Sequence, residues 1–147
     1  LMSDIHRLKY AMYLNNDAYE ALKKMIDAMP NEIANDFYVR EAYTSFTDLQ
    51  YSNPNLAGKD ERQLGHTVSI ASKSIAYHEF ETAALSQWLE AHSYEYGFIL
   101  RYPKRMASST NHVYDAHYYR YVGKKNANKI YKENSCIEEY NQKEAAE

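Results

Sequence analysis

Apolar residues recur at helical spacing near the start of the chain. From Asp17 to Met29 they return every three or four positions, which is the period of an amphipathic α-helix. Asn15 or Asn16 is placed to cap this helix, and Pro30 follows its end. The pattern therefore predicts one well-defined helix before the first strand.

Later segments alternate between strand and helix patterns. The β-patterned segments lie around Phe37 and Val39, from Leu64 to Ala71, and from Phe98 to Tyr102, and residues 112–122 predict a hairpin or paired strands. The helical segments run from Ser45 to Tyr51, from Glu79 to Tyr94, and from Gly123 to Tyr140, with loops at 52–59 and 104–111. Together they predict an α+β fold, a small and mostly antiparallel sheet flanked by helices, in one domain over residues 1–147.

Composition narrows the class of protein. The 147 residues suffice for one domain with a core, and a net charge of −3 gives no electrostatic footprint for nucleic acid. Cys136 is the one cysteine, which excludes an internal disulfide and a zinc–thiolate cluster. No apolar run reaches the length of a membrane helix, and no signal peptide is visible in this segment.

A family motif dominates the second half of the chain. Residues 88–123 read WLEAHSYEYGFILRYPKRMASSTNHVYDAHYYRYVG. This segment resembles the VanY-type D-alanyl-D-alanine carboxypeptidases and LD-carboxypeptidases, zinc peptidases that trim bacterial cell-wall stem peptides. The resemblance covers about residues 18–140 and is strongest over residues 88–123. It implies a single VanY/LD-carboxypeptidase-like domain at the extracellular side or cell envelope of a bacterium.

The residues that would bind zinc differ from the family pattern. The family's Glu-Pro-Trp-His run corresponds here to residues 115–118, so Asp115 stands at the general base and Tyr118 at a zinc histidine. The family's Ser-x-His-x-x-Gly-x-Ala-x-Asp motif, aligned on Gly65, places Arg62 at the other zinc histidine and Ser69 at the zinc aspartate.

These three side chains are poor zinc ligands. A catalytic zinc needs about three protein ligands and an open position for water. The guanidinium of Arg62 has no lone pair to give, Ser69 must be deprotonated to bind, and Tyr118 must ionise from a pKa of about 10. We therefore expect no metal cofactor, and from this we expect that the chain is not an enzyme.

The former groove supplies the remaining candidate binding residues. Thr44 and Ser45 lie where the family has an arginine and a serine beside the substrate, and Arg101 lies in a Phe-Ile-Leu-Arg-Tyr-Pro run that the family shares. Arg101 could hold a substrate carboxylate or form an ion pair at a strand end, and the ion pair is favoured. The candidate groove residues are Thr44, Ser45, Arg62, Arg101, Asp115 and Tyr118.

Two hypotheses concern how charge is arranged at this site. In the first, Arg62 pairs with Asp115, so that a guanidinium replaces the charge of a metal. In the second, His66 and His117 form a relocated metal site. Each histidine is an odd number of residues from a former ligand position, so in strands both side chains would lie on the opposite face of the sheet. Scattered, non-ligating histidines are the alternative that we favour.

Three functions remain open at this stage. The favoured one is an inactive VanY-like domain that acts as a binding or interaction module for a cell-wall stem peptide or a protein partner. The alternatives are an active cell-wall metallocarboxypeptidase with an atypical site, and a structural or assembly module whose groove is filled. Sixteen tyrosines, among them Tyr118, are consistent with an interface role but equally with sheet packing.

Overall fold

The computed structural model describes residues 12–55 and 57–146 and contains a four-stranded antiparallel sheet. The strand order is β1-β2-β4-β3, with every neighbouring pair antiparallel. The strands are β1 (Phe37–Glu41), β2 (Thr67–Ser72), β3 (Phe98–Tyr102) and β4 (Asp115–Tyr121). The sheet confirms the predicted mostly antiparallel arrangement.

Helices precede, connect and follow the strands. The α-helices are α1 (Asn16–Ala28), α2 (Asn31–Asp36), α3 (Phe46–Ser52), α4 (Ala84–His92), α5 (Ala107–Thr110), α6 (Lys124–Lys132) and α7 (Ile137–Ala146). The 3₁₀ helices are Glu61–Leu64, Tyr77–Thr82 and Ser93–Tyr96. The predicted α+β class is therefore confirmed. None of the helices within the described ranges has both the length and the apolar character needed to cross a bilayer.

The main hydrophobic core lies on one face of the sheet. Strand residues such as Val68, Ile70 and Tyr119 are buried there against α1 and α4, which contribute Leu22 and Leu89. Full burial of an apolar side chain contributes about 1.5–3 kcal/mol, so this face supplies much of the stability of the fold.

The opposite face is covered only in part. Ile99 of β3 packs with Ala127 and Ile130 of α6, and α7 adds Ile137 to this smaller cluster. The remaining surface of this face carries polar and charged side chains. The fold thus leaves room for a polar site beside α6 and α7.

Two of the predicted elements differ from the structure. The segment 112–122 forms the single strand β4 and not a hairpin, because β4 pairs with β2 on one side and β3 on the other. The closing helix predicted from Gly123 to Tyr140 is two helices, α6 and α7, because Asn134 between them adopts a left-handed backbone with φ of 49°. A continuous helix cannot pass through that conformation.

Two further boundaries moved for local reasons. The helix predicted from Glu79 to Tyr94 is divided, because Ala83 is extended with ψ of 143° between a 3₁₀ turn and α4. The strand predicted from Leu64 begins later, because Gly65 has φ of +74° and ends a 3₁₀ helix. The short helix α2 was not predicted, since it buries no residue and shows no apolar stripe.

Candidate functional site

A row of three residues crosses the sheet at the centre of its polar face. Glu41 of β1 is the register partner of Ser69 of β2, and Ser69 is in turn the partner of Tyr118 of β4. Directly opposed side chains on neighbouring strands lie about 5 Å apart at Cβ, so the three point to one place. The strand register therefore brings positions 69 and 118, which the alignment matches to zinc ligands of the family, side by side.

Arg62 reaches the same place from outside the sheet. The 3₁₀ helix Glu61–Leu64 begins at Asp60, whose carboxylate accepts a hydrogen bond from the Arg62 backbone N–H at 2.9 Å. The Arg62 guanidinium donates through Nε to Asp60 at 2.9 and 3.1 Å and through Nη1 to Glu41 Oε2. Positions 62, 69 and 118 therefore lie around the carboxylate of Glu41. The group of Glu41, Asp60, Arg62, Ser69 and Tyr118, with Tyr77 and Asp115 at its edge, is called the cluster below.

The ion pairs fix the charge state of this cluster. The hydrogen bond to Asp60 raises the pKa of Arg62 far above its usual value, and the nearby Glu41 charge adds to the effect against the opposing influence of burial. Burial alone would raise the pKa of Asp60, but the hydrogen bonds and charge of Arg62 lower it overall. Arg62 and Asp60 are thus both charged at neutral pH.

Tyr118 points into this cluster, as the family alignment implies. Its hydroxyl donates to Glu41 Oε2 at 3.2 Å. Burial, followed by the charge of Glu41, raises the pKa of this phenol well above its ordinary value. Tyr118 is therefore a neutral hydrogen-bond donor at physiological pH and not a phenolate.

Ser69 lies beneath the contact between Glu41 and Tyr118. The side chain is fully buried, and its Oγ has no hydrogen-bond partner among the described residues. A buried hydroxyl without a partner costs about 1–3 kcal/mol, so such groups are uncommon. The shortness of this side chain is what allows the two longer neighbours to meet above it.

Asp115 stands at the edge of the cluster, beside Tyr77. Its Oδ1 accepts a hydrogen bond from the His117 backbone N–H at 2.9 Å. Burial first, and the charge of Asp115 second, raise the pKa of the Tyr77 hydroxyl. The hypothesis that Arg62 pairs with Asp115 is wrong, because the guanidinium is engaged by Asp60 and Glu41 instead.

Arg101 forms a structural ion pair and lies outside this cluster. Its side chain is buried, with Nε donating to Glu61 at 2.6 Å and Nη1 donating to Glu138 of α7 at 3.1 Å. Glu61 also accepts from Thr67 at 2.8 Å and pairs with Arg120 at 3.2 Å. Arg101 thus ties α7 to the 3₁₀ helix that carries Arg62, which is the ion-pair alternative.

Thr44 and Ser45 have local structural contacts. The Thr44 backbone N–H donates to the Arg62 carbonyl at 3.4 Å, which places this loop beside the cluster. The Ser45 hydroxyl caps α3 by accepting from the Asp48 N–H at 3.1 Å. Neither contact assigns a ligand to these residues, and their role in the groove stays a prediction.

His66 and His117 do not come together in the structure. His117 is buried on the far side of β4, stacked on Tyr77 and Phe80 with ring centroids at 3.8 and 4.4 Å. Its ring nitrogens lie 2.7 Å from the Ile70 carbonyl and 2.8 Å from the Tyr77 carbonyl. The backbone at His66 pairs with Tyr121, four residues further along the sheet.

The side chains at the three positions that the alignment matches to zinc ligands of the family do not fit a zinc ion. Positions 62, 118 and 69 offer one guanidinium, one neutral phenol and one alcohol, whereas zinc in proteins is bound by imidazole, thiolate and carboxylate, and the neighbouring Glu41 and Asp60 carboxylates are engaged by Arg62. Within residues 12–55 and 57–146, no group of three or more histidine, cysteine or acidic side chains has the arrangement of a metal site. No chemical step at this site is therefore assigned to zinc.

The space above Ser69 is filled by protein. The side chains of Arg62 and Tyr118 meet there on Glu41, and cavities of about 250 to 530 Å³ elsewhere on the surface are lined by other residues. Tyr77, which is 43% exposed, and Asp115, which is partly exposed, lie beside the cluster and are accessible to solvent.

Three residues of this cluster were missing from the sequence-based site. Asp60 could have been found from the sequence, because an aspartate just before a short helix is a typical N-cap residue and Arg62 lies two residues after it. Glu41 and Tyr77 had none, because both join the site only through tertiary structure. Glu41 depends on the β1–β2 register, which shifts between Val39 and Glu41.

Comparison with known proteins identifies the relatives of this chain. The family model described as VanY, D-alanyl-D-alanine carboxypeptidase, matches residues 36–124. A D-alanyl-D-alanine carboxypeptidase of Enterococcus faecalis is 34% identical over 124 residues, covering 83% of this chain and 44% of the relative. The chain spans about half the length of the curated relatives that it matches.

Solved structures with the same fold support this relationship. The LdcB LD-carboxypeptidase, whose structure concerns peptidoglycan recognition, is 26% identical with a TM-score of 0.81, covering 92% of this chain and 74% of LdcB. The vancomycin-resistance D,D-pentapeptidase VanY, solved with Zn(II), is 26% identical with a TM-score of 0.74, covering 92% of this chain and 87% of that protein.

The relatives overturn the expectation that the chain is not an enzyme. That expectation came from the ligand positions alone, whereas the relatives that match more than four fifths of the chain are named carboxypeptidases. The structural relatives are enzymes as well, and one is solved with D-alanine-D-alanine. An unusual set of side chains at a site is a difference in chemistry and does not by itself show that a reaction is absent.

Proposed function

We propose that this chain, which belongs to the VanY family of D-alanyl-D-alanine carboxypeptidases, acts on the carboxyl-terminal end of a bacterial cell-wall peptide through an atypical site. The observation that carries the proposal is the extent of the family match. Residues 36–124 include the whole cluster, from Glu41 through Arg62 and Ser69 to Asp115 and Tyr118. The relatives that share this region are named for such a reaction.

The peptide end would approach the cluster from the side of Asp115 and Tyr77. Arg62 and Tyr118 fill the space above Ser69, so an incoming peptide meets the exposed part of Tyr77 first. The Tyr77 ring also contacts the Arg40 guanidinium, which lies 4.4 Å from the ring centroid. Arg40 is a nearby cation that could pair with the terminal carboxylate of a peptide.

Asp115 is the group best placed to accept a proton at this site. Its carboxylate makes no ion pair in the part of the chain that is described, so it is not neutralised as Asp60 and Glu41 are. A positioned carboxylate can act as a general base when it lies within hydrogen-bond reach of the attacking water. Asp115 would hold the water that attacks the terminal peptide bond.

The experiment that tests the proposal measures turnover and binding separately. The protein is incubated with a stem pentapeptide ending in D-alanyl-D-alanine and with the corresponding tetrapeptide, in buffer, with added zinc and with a chelator. Released D-alanine is measured with a D-amino acid oxidase assay. Binding is followed by amide NMR shifts near Thr44, Arg62, Ser69 and Asp115.

The proposal expects release of D-alanine above the protein-free rate. In Asp115→Asn the rate should fall by about a hundredfold or more, because a general base contributes at least that factor. The matched control is Asp27→Asn, an exposed aspartate of α1 far from the cluster. Peptide binding without release of D-alanine would contradict the proposed reaction. The absence of both binding and release would contradict the proposed ligand as well.

A cell-wall peptide as ligand supports a location at the bacterial cell envelope. This localisation follows from the proposed ligand, because stem peptides are found there. Labelled peptidoglycan sacculi provide a direct check, since a domain that takes stem-peptide ends should sediment with sacculi that retain them. Sacculi whose terminal D-alanine has been removed enzymatically are the control.

A further inference from the structure

We propose that the Arg62 guanidinium is a resident cation that replaces a metal ion, and that the surrounding fold still has the geometry of a zinc site. The inference concerns the same site as the proposed function and rests on the family relationship, one member of which is solved with Zn(II). It is decided by metal binding alone, whatever the fate of the peptide reaction.

The first argument is geometric. Ligands of one ion must converge on one point, and the side chains at positions 62 and 118 both donate to the same atom, Glu41 Oε2. Position 69 lies directly between Glu41 and Tyr118 in the strand register. Positions 62 and 118 thus contact a single carboxylate oxygen, and position 69 is the register partner of both Glu41 and Tyr118.

The second argument is electrostatic. Glu41 and Asp60 are two partly buried carboxylates, and buried carboxylates require a compensating positive charge. Arg62 supplies that charge and is held by hydrogen bonds to both. A zinc ion would have to displace a permanently charged guanidinium from Glu41, which explains in physical terms why the cluster as it stands excludes a second cation.

The third argument comes from Ser69. Its buried Oγ has no partner among the described residues, in a row where both neighbours carry hydrogen-bonding groups. A longer acidic side chain at this position would reach the space that Glu41 and Tyr118 now share.

The test restores three ligands and measures metal binding. Wild type and the variant R62H/S69D/Y118H are titrated with zinc by calorimetry and with cobalt, whose visible absorption reports coordination geometry. We expect no stoichiometric zinc binding by wild type. We expect one ion per chain in the triple variant, with Glu41 available as a further oxygen ligand.

A matched variant separates a restored site from chance binding by new histidines. R62H/S69D/Y118F differs from the triple variant by one ligand only, and its zinc affinity should be at least about tenfold lower. Circular dichroism establishes that each variant is folded. If the triple variant does not fold, the same zinc titration is done with R62H/Y118H, in which Glu41 would be the third ligand.

Two results would overturn the inference. One is tight, one-to-one zinc binding by wild type that is lost in Tyr118→Phe, since the present side chains would then be a metal site. The other is a folded R62H/S69D/Y118H or R62H/Y118H that binds no zinc, since the geometry would then not have been kept. Neither result depends on peptide turnover, so the proposed reaction is judged separately.

Discussion

The hydroxyl of Tyr118 donates a hydrogen bond of 3.2 Å to Glu41, although the two residues lie on strands that are not neighbours. The contact passes over Ser69, the short residue that separates them in the sheet. Because Arg62 donates to the same carboxylate oxygen, Glu41 joins two of the three positions that the alignment matches to zinc ligands of the family. Arg62, Glu41 and Tyr118 therefore form a single hydrogen-bonded unit, with Ser69 beneath it.

Removing the Tyr118 hydroxyl should weaken the fold modestly. Tyr118→Phe loses one hydrogen bond to a charged acceptor, and we expect the free energy of unfolding to fall by about 1.5 kcal/mol. The loss of stability stays moderate because Arg62 still donates a hydrogen bond to Glu41. Urea unfolding of Tyr118→Phe is compared with that of Tyr51→Phe, whose side chain is 89% exposed. Equal stability of the two variants would show that the hydrogen bond contributes nothing.

The ion pair between Arg101 and Glu138 should make stability depend on acid pH. Burial would raise the pKa of Glu138, but the hydrogen bonds from Arg101 lower it overall. A carboxyl with a lowered folded-state pKa stabilises the fold above its unfolded pKa, and this contribution is lost as the pH falls through the folded pKa. Wild type should therefore be more stable than Glu138→Gln above about pH 5, with the difference shrinking below it.

Urea unfolding from pH 7 to pH 2 measures this difference directly. The control is Glu20→Gln on the exposed face of α1. A gap between wild type and Glu138→Gln that is constant across the whole range would contradict the assignment. Hydrogen exchange under native conditions should also show that α7 opens more readily in Glu138→Gln than in wild type. The reason is that Arg101 loses its charged partner in that helix.

Much of the fold could be predicted from the sequence, because its signals are local. The Asn15 cap and the apolar period of α1 both depend on neighbouring residues. The break between α6 and α7 could not, since it depends on Asn134 taking a left-handed conformation. No apolar pattern marks that change.

The site was predictable only for the residues that belong to a motif. Arg62 and Tyr118 were identified by aligning the chain with motifs of the family that it resembles, and the structure brings them to the same carboxylate. The partner of Arg62 was wrongly predicted as Asp115, because the sequence gives no information about the register of β1. That register, with its shift after Val39, brings Glu41 to the site instead.

His117 should contribute to the stability of the fold with or without a metal ion in solution. A ring nitrogen that carries a proton can donate to the carbonyl of Ile70 or of Tyr77. His117→Phe keeps a ring between Tyr77 and Phe80 but leaves these carbonyls without that donor. We expect a loss of about 1–3 kcal/mol in the free energy of unfolding.

The measurement for His117 is thermal unfolding with zinc and with a chelator. His66→Phe is the control, because its side chain is only partly buried and no ring hydrogen bond is formed to it in the described part of the chain. A stabilising effect of zinc that disappears in both variants would contradict a purely structural role and revive a metal site at these histidines.

Two glycines offer a matched test of how β3 and β4 are packed. Gly97 and Gly123 both have positive φ, of 90° and 83°, so alanine is strained at either position. Only at Gly97 would a Cβ also collide, lying 2.8 Å from the Tyr121 ring and 3.1 Å from the Gly123 carbonyl carbon. Gly123, with ψ of 156°, has a conformation that is essentially restricted to glycine, so Gly123→Ala should cost about 1–3 kcal/mol through backbone strain alone. Gly97, with ψ of 8°, is left-handed, which costs alanine about 1–2 kcal/mol, and the collision should add about 1–3 kcal/mol because the Gly123 backbone cannot move away without shifting α6. A loss in Gly97→Ala no larger than the left-handed strain alone, measured by urea unfolding, would show that the close approach of these two segments is not maintained in solution.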